Sequence, residues 1–449
     1  MTAHTFQNDL AEKFSTARAI GVEIANRMKD PKEVRQIITA HGNISIFGEH
    51  PWRDTAFSAG YPGIILLFAE LDRQSPEEGW DLIAHQYLLA LQEGLQEEGY
   101  PNSSMFGGLA GIAFAAYTVS RNGTRYTRFI RKITDLIIEE VSASLKAFVS
   151  GELWPGPGIS PAFYDVIMGL SGSGRYLLEI ANDDDRAYKL VIDILKFMVK
   201  LTDPITVDGY CVPGWYVPQR YQFTEEDKEH FPKGNFNCGL AHGIPGPLVL
   251  MSKALQKGIK IDGQVEAIQR ICEWLINHAK EDESGLYWPS FVSFEEETAN
   301  DKNSERSRDA WCYGTAGVAR ALFLAGSILK DEEISRWGIR GYDAIYSRSE
   351  KVWNLTGPTF CHGYAGLLYL TLLMAKDTQE ERYEGYIERI LDPLMDCYDT
   401  QAPLGYKDIE IEDGIDKAGI LDGAAGIALV LISLNAAGES EWNYPFLIS

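Results

Sequence analysis

A Gly-x-x-Gly pair that opens into a long apolar run occurs seven times in this chain. The pairs are Gly60/Gly63, Gly108/Gly111, Gly169/Gly172, Gly243/Gly246, Gly314/Gly317, Gly363/Gly366 and Gly423/Gly426. Their first glycines are 48, 61, 74, 71, 49 and 60 residues apart. One such pair carries no information. Seven, each followed by a run such as Ile64-Ile65-Leu66-Leu67-Phe68 or Ile427-Ala428-Leu429-Val430-Leu431, define an internal repeat. Helices apolar on every side are buried ones. A repeated unit that cannot cover its own apolar face must stack on its neighbours.

Amphipathic helices are expected between these runs. Phe129, Ile133, Leu136, Ile137, Val141 and Leu145 fall on one helical face, as do Val265, Ile268, Cys272 and Leu275, and the opposite faces carry Arg, Lys and Glu. Buried and half-exposed helices therefore alternate. The simplest closed arrangement is an all-α fold, an α/α-toroid with a double ring of seven inner and seven outer helices. The intervals are too irregular for an open solenoid, and closure removes the need for capping repeats. The glycines let the chain turn tightly into each inner helix and let backbones crowd at one end. Helix N-termini converging there give a polar mouth with aligned dipoles.

Length alone, at 449 residues, allows two or three domains. The repeat argues for a single toroid domain over 1–449, with non-helical excursions near 151–161, 203–236 and 285–307. The first is rich in Gly and Pro. The second has Pro204, Pro213, Pro218 and Pro232 among Tyr210, Trp215, Tyr216 and Tyr221, and the third begins Leu286-Tyr287-Trp288-Pro289 and turns acidic. Long loops or small β pieces at the rim are expected, and long loops in compact domains are usually functional. An aromatic loop there can grip a peptide or cover the core. No apolar stretch reaches the roughly 18 residues of a membrane span; the longest candidate, Ala424 to Leu434, has 11 positions. The first residues lack a basic-then-apolar signal, so a cytoplasmic protein is expected. A net charge of −23 argues against nucleic acid, whose phosphates need a basic patch. It suits a cationic partner, or simply a soluble acidic surface.

Six cysteines without a Cys-x-x-Cys make no disulfide framework. Cys272 and Cys397 read as structural, Cys211 stays open, and Cys238, before Gly239-Leu240-Ala241-His242, is expected near the mouth. Cys312 and Cys361-His362 stand at the glycine turn of two repeats. Two thiolates and an imidazole are zinc ligand types, and three protein ligands leave the fourth position of a catalytic zinc open. The alternative is two buried thiols and a packed imidazole. His4, His41, His50, His85, His230 and His278 lack this context and read as solvated or structural.

Four motifs occur in order: Tyr164-Asp165-Val166-Ile167-Met168-Gly169-Leu170-Ser171-Gly172, Gly239-Leu240-Ala241-His242-Gly243-Ile244-Pro245-Gly246, Arg308-Asp309-Ala310-Trp311-Cys312-Tyr313-Gly314 and Cys361-His362-Gly363-Tyr364-Ala365-Gly366. On these the chain resembles, over nearly its whole length, the lanthionine synthetase C-like (LanC) family, in particular the class I lanthipeptide cyclases of nisin and subtilin type. The resemblance implies a zinc-bearing α/α-toroid. It implies one Zn2+ per chain, with Cys312, Cys361 and His362 as metal ligands. His242, Asp165, Arg308 and Tyr313 match residues around the metal that serve the chemistry. Thr315-Ala316 departs from the Gly-Pro usual in nisin-type cyclases, which bears on loop shape and not on a ligand.

The implied activity is addition of a precursor-peptide Cys thiolate to dehydroalanine or dehydrobutyrine, giving (methyl)lanthionine rings. His242 is expected to do acid/base work, with Asp165 orienting it. Arg308 either stabilises an enolate or pairs with neighbouring acids such as Asp309, and Tyr313 either donates to the enolate or packs beside the metal. The implied partners are the dehydrated precursor peptide, a dehydratase and an exporter, the last two bringing any membrane association. A non-catalytic or glutathione-binding scaffold of the same family is the alternative. A zinc prenyltransferase needs a basic diphosphate pocket that the chain lacks, and a toroidal glycosidase needs a carboxylate pair.

Overall fold

The computed structural model describes residues 3–121, 123–151, 156–299, 305–409 and 411–449, with side chains from Leu10 onward. All seven apolar runs are helices: α1 (Tyr61–Gln74), α2 (Leu109–Thr118), α3 (Leu170–Ile180), α4 (Pro245–Gln256), α5 (Thr315–Leu329), α6 (Tyr364–Thr378) and α7 (Ala424–Ser433). Every residue of α7 is buried. The first glycine is the N-cap of six of them; before α4, Ile244 caps and Pro245 opens the helix, where its missing N–H leaves no bond unmade.

The second glycine of the motif has a steric cause. A Cβ at Gly63, Gly172, Gly317, Gly366 or Gly426 would stand 1.9–2.3 Å from the carbonyl oxygen of the residue six positions earlier, respectively Phe57, Val166, Trp311, Phe360 and Ile420. The lead-in turn folds back over the first helical turn, so only a hydrogen fits. Gly314 carries a second demand. Its φ of +86° and ψ of −155° belong to a region essentially restricted to glycine, and a Cβ would lie 1.5 Å from the Arg308 carbonyl oxygen. Gly314→Ala is expected to cost about 1–3 kcal/mol from the backbone alone and more from the clash. Urea unfolding reads this directly; an unchanged midpoint would contradict the geometry.

The chain forms two compact units, each assembled from separate stretches. One comprises Met1–Pro101, Phe106–Ile133 and Leu355–Asn443; the other comprises Asn102–Met105, Thr134–Asn354 and Tyr444–Ser449. In the first, α1 packs on α2, on α7 and on the amphipathic helix Trp80–Glu98. Helix Ala3–Arg27 lies against α7, and α6 packs on Arg382–Asp396. In the second, α4 packs on both α3 and α5, α5 on Glu332–Ser347, and α3 on Asp185–Leu201. The alternation of apolar and amphipathic helices is as expected. Ile133, Ile137, Val141 and Leu145 are buried on helix Thr127–Val149, and so are Ile268, Cys272 and Leu275 on Gln264–Asn277.

Backbone hydrogen bonds tie successive lead-in turns together. In the first unit Cys361 N donates to Leu421 O (2.9 Å), Leu421 N to Ser58 O (3.2 Å) and Ser58 N to Phe106 O (2.9 Å). In the second, Val166 N donates to Ala241 O (3.1 Å) and Ala241 N to Cys312 O (3.2 Å). Apart from Val166, each of these residues stands two places before the first glycine of its motif. The ladder holds equivalent positions of neighbouring repeats side by side. The residues one place before the glycine, including His242, Tyr313, His362 and Asp422, therefore come next to their counterparts within each unit.

Among the described residues, the excursions are small β pieces with two short α-helices and one 3-10 turn, Gln219–Tyr221. Strands β1 (Ile205–Val207) and β2 (Tyr210–Val212) form a hairpin with Thr206 opposite Cys211. Strand β3 (Asn235–Asn237) pairs with β6 (Phe291–Ser293), and β4 (Lys280–Asp282) pairs with β5 (Gly285–Tyr287). The β3–β6 pair joins the second excursion to the third. Helices Glu225–His230 and Phe294–Ala299 were not expected; at six residues each they are too short to leave a helical period. A capping box of Thr224 and Asp227 starts the first of them. Glu152–Pro155 of the first excursion and Asn300–Ser304 of the third lie outside the described residues. Among the described residues, no helix is long and apolar enough to cross a membrane.

Candidate functional site

The second unit brings three of the expected site residues together. Asp165 follows the short helix Pro161–Tyr164 and is fully buried. Its Oδ1 accepts from the backbone N–H groups of Met168 (2.7 Å) and Gly169 (2.8 Å), and its Oδ2 faces His242 Nδ1 at 2.6 Å. Two fixed amides hold the carboxylate, and the carboxylate in turn orients the imidazole: an acceptor at Nδ1 favours the tautomer that donates from that nitrogen, with Nε2 turned away from Asp165. The His242 side chain is 24 % exposed, so the dyad runs from the interior to an accessible ring.

Tyr313 lies beside it, with ring centroids 6.3 Å apart. Burial raises its phenol far above the ordinary tyrosine range, and its hydroxyl accepts from Asn237 Nδ2 at 3.2 Å. A phenol so raised stays protonated, and its hydroxyl hydrogen can be donated. Gly239 is required here, since a Cβ would meet the Tyr313 ring at 2.4 Å. The Phe223 ring lies 4.9 Å from that of His242, tilted by 57°, and Phe291 lies 5.6 Å from Tyr313. These aromatic neighbours come from the excursions. Phe223 and Asn237 were not singled out from the sequence, because nothing local marks them.

Arg308 is half-buried and, among the described residues, has no side-chain hydrogen bond or ion pair. Of the two sequence expectations for it, pairing with Asp309 is corrected by the structure. Asp309 belongs to Arg348, whose Nη1 donates to both carboxylate oxygens at 2.9 and 3.0 Å, with both side chains 1 % exposed. Burial pushes the Asp309 carboxyl up and the Arg348 guanidinium down from their ordinary pKa ranges. Asp309 N also donates to Trp353 O at 2.8 Å. The pair anchors the turn that carries Cys312. Arg348→Met leaves a buried carboxylate without its cation, and a loss of about 3–5 kcal/mol is expected, read as a lowered denaturation midpoint.

Cys312 is buried in the second unit. Cys361 and His362 lie in the first, both half-buried, and Asp422 joins them. A Cys361 sulfur, a His362 ring nitrogen and an Asp422 carboxylate oxygen all lie within 4.8 Å of one another, and His362 Nδ1 is 3.6 Å from Asp422 Oδ1. Thiolate, imidazole and carboxylate are all zinc ligand types, so this donor set fits the metal. Asp422 was missed from the sequence, although it occupies the place before Gly423 that His362 occupies before Gly363.

Among the described residues, the other cysteines and histidines lie outside this cluster. Cys272 is core, and Cys238, which directly follows β3 and donates its backbone N–H to Ser290 O at 2.9 Å, is buried with its thiol raised by burial. Cys211 is exposed and Cys397 half-buried at a helix end. His278 meets Glu297 at 3.1 Å, His50 bonds Asn43 O at 2.9 Å, and His85 stacks on Tyr126.

Residues 51–447 match the family described as lanthionine synthetase C-like protein, and the chain belongs to that family. Among curated proteins it is 26% identical over 383 residues to the nisin biosynthesis protein NisC of Lactococcus lactis subsp. lactis, covering 84% of this chain and 85% of that protein. Among solved structures, nisin cyclase superposes with a TM-score of 0.76 at 22% identity, covering 97% of this chain and 98% of the other. The fold is thus the α/α-toroid expected from the sequence.

Proposed function

We propose that this chain is a zinc-dependent lanthipeptide cyclase that closes thioether rings in a dehydrated precursor peptide. Family membership and the similarity to NisC support the reading. The observation that carries it is the His242–Asp165 dyad, a buried carboxylate locked by two backbone amides and aimed at an accessible imidazole. The proposed metal ligands are Cys312, Cys361 and His362, one zinc per chain, on the strength of the family motifs they match. When bound, zinc lowers the pKa of a peptide thiol and presents it as a thiolate that is still nucleophilic.

The reaction adds S–H across a carbon–carbon double bond. Sulfur bonds to Cβ of a dehydroalanine or dehydrobutyrine, the π electrons move onto the carbonyl oxygen, and a proton is delivered to Cα. Nothing leaves, so the peptide mass is unchanged. Asp165 keeps a proton on Nδ1 of His242, and Nε2 takes up the thiol proton and returns it to Cα. The neutral Tyr313 phenol donates to the oxygen on which charge develops, and the Arg308 cation stabilises the same charge. Phe223 and Phe291 offer apolar surface to the dehydro side chain. The protein would work in the cytoplasm, with the dehydratase that makes its substrate and the exporter that removes the product.

The test is incubation of the purified protein with a dehydrated, Cys-containing peptide, counting remaining thiols by alkylation. One thiol is expected to disappear per ring at constant mass. Thiols persisting as in the enzyme-free control would overturn the reading and favour the glutathione-binding or scaffold alternative.

A further inference from the structure

We propose that Asn237 is a positioning residue for ring closure: its side-chain amide fixes the direction in which the Tyr313 phenol can donate its hydrogen. The inference deepens the cyclase reading and rests on the donor role proposed there for Tyr313.

Its first support is the identity of the two atoms at the end of the Asn237 side chain. One lies 2.9 Å from the backbone N of Gly239, the other 3.2 Å from the Tyr313 hydroxyl. A backbone N–H only donates, so the atom facing it is the amide oxygen. The atom facing the phenol is then the NH2 group, which carries hydrogens to give and accepts none. Turning the amide over would set two donors against each other at Gly239. The contact therefore runs one way, with Asn237 donating and the phenol oxygen accepting.

The second support is what this leaves on the phenol. A tyrosine hydroxyl can both donate and accept. With Asn237 using it as an acceptor, its hydrogen must point elsewhere. Among the described residues, the Tyr313 hydroxyl has no other hydrogen-bond partner. The hydrogen is thus not taken up within the protein and is left for a bound peptide.

The third support is rigidity. Asn237 is 1 % exposed, it ends β3 opposite Phe291 of β6, and its carbonyl oxygen accepts from Ile244 N at 3.2 Å. Backbone and side chain are both held, so the amide cannot follow the phenol if that group turns. A donor fixed in advance needs no reorientation when charge appears on the peptide oxygen.

The test is a double-mutant cycle on the full-length, zinc-loaded chain. Initial rates of thiol loss are measured over a range of dehydrated, Cys-containing peptide, with the unfolding midpoint recorded for each variant. Asn237→Asp keeps an oxygen toward Gly239 N but puts an acceptor in place of the NH2 group, which draws the phenol hydrogen to itself. The expected result is kcat lowered by about 10²–10³-fold, the scale of losing one donor to a developing oxyanion, with KM within a few-fold of wild type. Tyr313→Phe should lose about as much. In the Tyr313→Phe background, Asn237→Asp should change kcat by less than about threefold, because the group it acts through is already gone. Asn237→Ser removes the amide without adding a buried charge. It should lower kcat in the same sense and be equally silent beside Tyr313→Phe, and it decides the matter if Asn237→Asp does not fold. Unchanged kcat in the Asn237 variants while Tyr313→Phe is slow would overturn the proposal and leave the cyclase reading standing. Losses that multiply with that of Tyr313→Phe would do the same. Full activity in Tyr313→Phe would remove the donor role and this proposal with it. Wild-type protein that closes no rings would instead overturn the cyclase reading itself.

Discussion

Cys361→Ala is expected to abolish ring formation and to lower zinc from about one ion per chain to nearly none. A thiolate is among the strongest zinc donors, and a metal held by few protein ligands leaves readily when one is removed. Cys361 is only half-buried, so its truncation leaves little cavity and the fold should survive. Its backbone N–H, bonded to Leu421 O, is untouched by the side-chain change. Loss of activity can therefore be assigned to the metal and not to unfolding, provided the unfolding midpoint is recorded beside the zinc content. Chelation of the wild type should give the same inactive state, and added zinc should restore the wild type but not the variant. Cys312→Ala should behave alike if that thiol is a ligand. Full activity with either cysteine replaced would remove it from the metal site.

The second large effect is expected at His242. His242→Asn should retain zinc and slow ring closure by about 10²–10⁴-fold, the usual contribution of a positioned acid/base group. Asparagine can still donate from Nδ2 toward Asp165, whose other oxygen remains satisfied by the Met168 and Gly169 amides. The buried carboxylate is therefore not stranded, and stability should change little. What disappears is the imidazole proposed to take up and return the proton. The loss should fall on kcat, with little change in KM, because the imidazole is proposed to act on the proton rather than to bind the peptide. Loss of zinc from this variant would make His242 a ligand. An unchanged kcat would remove it from the chemistry.

Much of the architecture was legible because its causes are local. Burial of a helix on all sides requires an apolar residue at nearly every position, and this is written out in Ile64–Phe68 and Ile427–Leu431. A lead-in that folds back onto the first helical turn excludes a Cβ, and this leaves Gly63, Gly172, Gly317, Gly366 and Gly426 in the chain. Cys312, Cys361, His362 and His242 are marked in the sequence because each stands one or two residues before the first glycine of its motif. The short helices Glu225–His230 and Phe294–Ala299 left no periodic trace, being less than two turns long.

The partners of those residues were another matter. Asp309 stands beside Arg308 in the chain, yet its cation is Arg348, 39 residues away and brought in by helix Glu332–Ser347 and the residues after it. Asp422 was not singled out in the sequence, and the bond from Cys361 N to Leu421 O is what sets it beside His362. Asn237 reaches Tyr313, and Phe291 approaches the same ring, only because β3 pairs with β6. The sequence by itself determined the seven helices, their burial and the residue types offered at each lead-in, since periodicity and steric exclusion act between near neighbours. Which of those residues face one another was decided by the tertiary structure, since it depends on backbone hydrogen bonds between segments tens of residues apart, and an N–H or C=O that every residue carries leaves no mark in the sequence.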